Sequence, residues 1–74
     1  MIGAKLKSAR IAQKLSQEEV ALSLNTSRSN ISKYENDNLE PNLMTLKQLC
    51  LLYHVSADYL LGINEIGGNE NATI

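Results

Sequence analysis

Arg28, Ser29, Ser32 and Lys33 stand at spacings that a helix would gather onto one side. At about 100° per residue they fall within an arc of roughly 140°. Ile31 and Tyr34 point the other way, toward a core. The side so formed carries a guanidinium, an ammonium and two hydroxyls. Arginine and lysine match the paired acceptors on a guanine edge, and a serine hydroxyl can serve a base or a phosphate. A solvated helix face is the plainer alternative. The elements that hold the arc decide between the two.

Those elements lie in residues 16–36, SQEEVALSLNTSRSNISKYEN, which read as two short helices joined by a tight turn. Ser16 can N-cap the first, and Glu19 three residues on completes a capping box. Leu15 and Val20 occupy the positions of a hydrophobic staple across the same cap. Asn25 breaks the pattern, and asparagine tolerates a left-handed turn conformation better than most residues. Ser27 can then cap the second helix at once. So short a gap forces a steep crossing, which is the layout of a helix-turn-helix.

Arg10 is the second clue. Ile2, Leu6 and Ala9 recur at helical spacing in the first helix, and Arg10 borders that apolar stripe. An arginine partly withdrawn from water needs an acid, because an unpaired buried charge is strongly destabilising. Glu35, at the end of the outer-faced helix, is the candidate, and the pair would clamp the first helix to the third. The alternative is that Arg10 reaches solvent or a phosphate directly.

These residues together resemble the phage-repressor and Cro-type helix-turn-helix proteins, the lambda-repressor-like group that also includes restriction-modification controller proteins. The matching segments are LKSAR at 6–10, LSQEEVA at 15–21, TSRSNISKYEN at 26–36, the frame of Pro41, Leu46 and Leu49, and VSADYLLG at 55–62. They cover residues 2–62. The resemblance implies an all-α, compact five-helix DNA-binding domain with its helix-turn-helix at helices 2 and 3. It implies that Arg28, Ser29, Ser32 and Lys33 face bases and that Gln17 and Asn36 meet the backbone; Ser27, at the cap, is expected to help position the phosphates. Arg10 and Glu35 would form the structural ion pair, and Tyr59 and Leu60 the dimer contacts. Two features depart from the pattern. The usual turn glycine is Asn25, and a loop that often carries basic residues holds Asp37 and Glu40.

Seventy-four residues, 43% of them apolar, fit one small helical domain and are too hydrophobic for a disordered chain. There is no tryptophan or phenylalanine, so leucines must dominate the packing. The net charge of −1 is unlike that of most nucleic-acid binders. Setting aside Glu65 and Glu70 leaves seven basic and six acidic residues, a net of +1. Placement must therefore do what the total does not. Lys5, Lys7 and Lys14 lie on or after the first helix, and helix N-termini can hold phosphate without formal charge.

A fourth helix is expected after Asn42, with Leu43, Leu46, Leu49, Cys50 and Tyr53 facing inward. Ser56 would cap a short fifth helix that buries Leu60 and Leu61 and stops at Gly62. The domain is thus expected over residues 1–62, with 63–74 as a flexible tail. Met44 and Leu51 lean outward. The lone Cys50 and lone His54 support neither a disulfide nor a zinc site, so no enzyme activity, cofactor, metal or small-molecule substrate is expected. No apolar run approaches the roughly 20 residues of a membrane span, and no signal-peptide core precedes the domain, which makes the cytoplasm the expected location. The expected partners are double-stranded DNA and a second copy of the chain. The rival reading is a protein-interaction module on the same fold, binding a toxin or a polymerase subunit, for which the near-neutral charge and Asp37 and Glu40 speak.

Overall fold

The computed structural model describes residues 2–63 and is helical throughout its elements: α1 (Gly3–Ala12), α2 (Gln17–Leu24), α3 (Arg28–Glu35), α4 (Leu43–Tyr53) and α5 (Ala57–Leu61). The expected tail lies, from residue 64 on, outside the described residues. Every helix gives side chains to one core: Leu6 and Ala9 from α1, Val20 and Ala21 from α2, Ile31 from α3, Leu49 and Tyr53 from α4, and Leu60 from α5. With no larger aromatic in the sequence, Tyr53 is the bulkiest fully buried side chain. Among the described residues these five helices make the compact all-α architecture that the resemblance implies.

Local chemistry starts α2, α3, α4 and α5. Ser16 Oγ accepts from Glu19 N at 3.0 Å while Glu19 Oε1 accepts from Ser16 N at 2.8 Å, a complete capping box. Ser27, Asn42 and Ser56 cap α3, α4 and α5 through the backbone N–H of Asn30, Thr45 and Tyr59. Helix α1 has no such cap of its own. Its first amide, Gly3 N, donates instead to Asp37 Oδ1 at 2.9 Å, from just beyond the end of α3. An acid there also faces the positive end of the α1 dipole.

That contact explains Gly3. A Cβ on this residue would collide with the backbone oxygen of Glu35 and come within 2.8 Å of Asp37 Oδ1. The two chain segments approach too closely for any side chain. Gly3→Ala is therefore expected to lower stability by about 1–3 kcal/mol, the usual cost of overpacking, as a reduced urea midpoint with an unchanged slope.

Two inward assignments on α4 and α5 need correction. Leu43 is 84% exposed and Leu61 50% exposed. Each sits at a helix end, where the apolar stripe has run past the edge of the core; Leu49, Tyr53 and Leu60 fill the space behind them. Both residues line a shallow apolar groove with Ile2, Leu39, Pro41 and Leu46.

Candidate nucleic-acid interface

The turn between α2 and α3 sets the geometry of the site. Asn25 adopts the left-handed conformation, φ 56° and ψ 47°. This reverses the chain so that Thr26 N donates to Ala21 O at 2.9 Å and Asn25 N to Leu22 O at 3.2 Å, satisfying carbonyls that the helix end would otherwise leave open. Asn30 Nδ2 then donates back to Thr26 Oγ1 at 2.9 Å, tying the first turn of α3 to the loop. Ile31, buried at the core, fixes the rotation of α3 about its axis. Arg28, Ser29 and Lys33 are consequently exposed and Ser32 half-buried.

Gln17, Arg28, Ser29, Ser32 and Lys33 line one open depression along the outer side of α3. A second, at the N-terminus of α2, is lined by Arg10, Ser16, Gln17, Glu18 and Arg28. Gln17 and Arg28 are common to both. The four residues of the expected base-facing arc are thus together, with one of the expected phosphate contacts beside them. Ser27 is exposed at the cap of α3 and Asn36 exposed at its far end, so the two flank the arc.

Behind this surface lies a polar network that fixes three helices. Arg10 Nε donates to Glu35 Oε2 at 2.7 Å and Nη2 to Glu35 Oε1 at 3.2 Å, while Nη1 donates to Leu15 O at 2.8 Å. The two side chains are only 11% and 3% exposed. The hydrogen bond to Glu35 holds the guanidinium above its ordinary pKa against the opposing effect of burial. Gln17 Nε2 completes the set by donating to Glu35 Oε1 at 3.1 Å. One carboxylate on α3 therefore binds side chains from α1 and α2. One N–H of the Gln17 amide is spent on Glu35; the other and the carbonyl are what a phosphate or base contact would use.

Tyr53 packs under this network. Burial, reinforced by the negative charge of Glu35, pushes its phenol up to about 12. The native state thus holds this proton while an unfolded chain loses it from about pH 10. The contribution is whole below about pH 10 and is lost as the pH rises through about 12. It is on the order of 2 kcal/mol. Comparing urea midpoints of the parent and Tyr53→Phe at pH 8 and at pH 11.5 isolates it, because lysine titration is common to both. The parent is expected to lose more stability than the phenylalanine variant.

Leu60 carries two expectations, burial in the core and a dimer contact, and the structure bears out the first and corrects the second. Leu60 is 1% exposed, enclosed by its own chain, so it has no surface to offer a second subunit. Tyr59, its neighbour on α5, is 40% exposed, with Lys5 Nζ 5.4 Å from the ring centroid. Burial raises the Cys50 thiol above its ordinary pKa, which disfavours the thiolate. Among the described residues no helix is long and apolar enough to cross a membrane.

The model of the helix-turn-helix domain family matches residues 3–65. The chain is 45% identical over 65 residues to the HTH-type transcriptional regulator ImmR of Bacillus subtilis, a match covering 88% of this chain and 51% of ImmR. It is 39% identical over 61 residues to the SPbeta prophage-derived uncharacterized HTH-type transcriptional regulator YonR of the same organism, covering 82% of this chain and 56% of YonR. The regulator YobD, also from Bacillus subtilis, is 36% identical over 61 residues, covering 82% and 54% respectively. The chain spans about half the length of these relatives. With its capped α2–α3 turn, its five-helix core and these matches, the chain belongs to the helix-turn-helix domain family of the phage-repressor and Cro type.

Proposed function

We propose that this chain binds double-stranded DNA by sequence and regulates transcription, as a repressor or controller of phage or mobile-element type. The observation that carries the reading is the depression lined by Gln17, Arg28, Ser29, Ser32 and Lys33 on the exposed side of α3. Helix α3 would enter the major groove, with Arg28, Ser29, Ser32 and Lys33 toward bases and Gln17, Ser27 and Asn36 toward the backbone. Arg28 and Lys33 suit guanine acceptors. Residues 1–62 would form the DNA-binding unit, working in the cytoplasm and blocking a promoter by occupancy.

A monomer with two cations on its reading face has limited grip, so a dimer is part of the proposal. Tyr59 is the candidate contact, and the exposed Leu61 and Leu43 share an apolar groove at the end of α5. A two-fold dimer would set its reading helices about 34 Å apart and bind a near-palindrome.

Selection of bound sequences from a random duplex pool at two salt concentrations tests this. Enrichment of a palindrome with half-sites about 10 base pairs apart is expected. Affinity should fall with salt at a slope near −0.9 per phosphate neutralised. Light scattering should give a dimer on DNA. The second reading, a module that binds another protein, draws on the exposure of Met44 and Leu51 (64% and 66%) on α4. It would be favoured by recovery of no motif and by binding to a partner that tolerates salt.

A further inference from the structure

The outer face of α3 mixes groups of fixed sign with groups that can act either way. Arg28 and Lys33 can only donate hydrogen bonds, whereas a serine hydroxyl offers one donor and two lone pairs. A neighbour decides which of these Ser32 turns outward. Asn36, one helical turn on, places Nδ2 3.3 Å from Ser32 Oγ and donates to it. The amides of Asn30 and Gln17 make their hydrogen bonds to Thr26 Oγ1 and Glu35 Oε1 instead. A hydroxyl that accepts one hydrogen bond is polarised to donate another. Ser32 lines the depression between Arg28 and Lys33, so its proton is available to whatever fills that space.

We infer that Asn36 is a positioning residue for specificity: by donating to Ser32 it sets that hydroxyl as a donor, selecting a keto base, guanine or thymine, at one position of each half-site. The inference rests on the DNA-reading role proposed above. In the major groove guanine O6 and thymine O4 accept, where adenine N6 and cytosine N4 donate. On the edge where these groups stand, a hydroxyl directed outward as a donor meets the first pair and is mismatched to the second; adenine keeps an acceptor at N7, so the preference is sharpest against cytosine. This role uses one N–H of the Asn36 amide and adds to the phosphate contact proposed above, for which the second N–H remains.

The test is selection from a random duplex pool with the full 74-residue chain, as the parent and as Asn36→Asp, Asn36→Ala and Ser32→Ala, with circular dichroism to verify folding. The parent should prefer guanine or thymine at one position by about 2- to 10-fold, the range of a single neutral hydrogen bond. A carboxylate at residue 36 can only accept, so the Ser32 O–H donates to it and the hydroxyl turns a lone pair to the groove. Asn36→Asp should therefore shift that one position toward adenine or cytosine and leave the positions under Arg28 and Lys33 unchanged. Asn36→Ala should weaken the preference, and Ser32→Ala should abolish it at the same position. The added charge of Asn36→Asp lowers affinity for all sequences alike, so the readout is the ratio among bases. Uniform weakening with every base preference intact would place Asn36 on the backbone alone and overturn the inference while leaving the DNA reading standing. No enriched motif from the parent would overturn both.

Discussion

Arg10→Ala is expected to lower stability by about 3–5 kcal/mol, the cost of leaving a buried charge without its partner. Glu35 would keep only the amide of Gln17 in a site where its side chain is 3% exposed. A domain of 74 residues has roughly 4–11 kcal/mol in total, so the variant should be partly unfolded at 37 °C. Replacing both partners separates the energy of the pair from its purpose. Arg10→Met with Glu35→Leu removes both charges together, and such swaps are often neutral or stabilising. The double variant should therefore regain most of the lost urea midpoint. If the pair sets the angle of α3, its DNA affinity should stay low despite the recovered stability, because Gln17 has lost its anchor and α1 its link to α3. Full recovery of both properties would reduce the network to a local packing device.

Sequence reading reached the elements whose signals are local. Ser16 with Glu19, Ser27 and Ser56 announce helix starts within four residues, and each forms the expected bond. Asn25 marks the turn because asparagine is one of the few side chains at ease in a left-handed conformation. Other left-handed residues gave no such signal. Lys14, Asp37 and His54 also have φ near 60°, and neither lysine nor histidine advertises it. Contacts between distant segments were harder still. Arg10 with Glu35 could be inferred because a half-buried cation narrows the choice of partner. Asp37 on Gly3 N spans 34 residues and was visible only as an acid in a loop. The same limit misplaced Leu61: of two adjacent leucines on a short helix, Leu60 takes the core and Leu61 is half exposed, and composition does not say which one faces inward. The reading face stood out because Ile31 and Tyr34 left Arg28, Ser29, Ser32 and Lys33 one common side.

Arg28→Ala combined with Lys33→Ala is expected to cost about 2–6 kcal/mol of binding to the selected operator, taking 1–3 kcal/mol for each base contact. That corresponds to a loss of roughly 30- to 20,000-fold in affinity, set against the parent on the same duplex. The two residues are on the exposed side of α3 and touch no part of the core, so urea midpoints should stay within about 0.5 kcal/mol of the parent. What distinguishes reading from mere attraction is the pattern of the loss. Base contacts removed from the groove relax discrimination at the positions they read, and affinity falls toward the value for unrelated DNA. Phosphate contacts removed from the backbone weaken all sequences equally and reduce the salt slope by about 0.9 each. With an overall charge of −1, this chain has little general attraction for DNA, so specific contacts must supply a large share of its affinity. A uniform loss with a shallower salt slope would move both cations to the backbone and leave the serines as the readers of sequence.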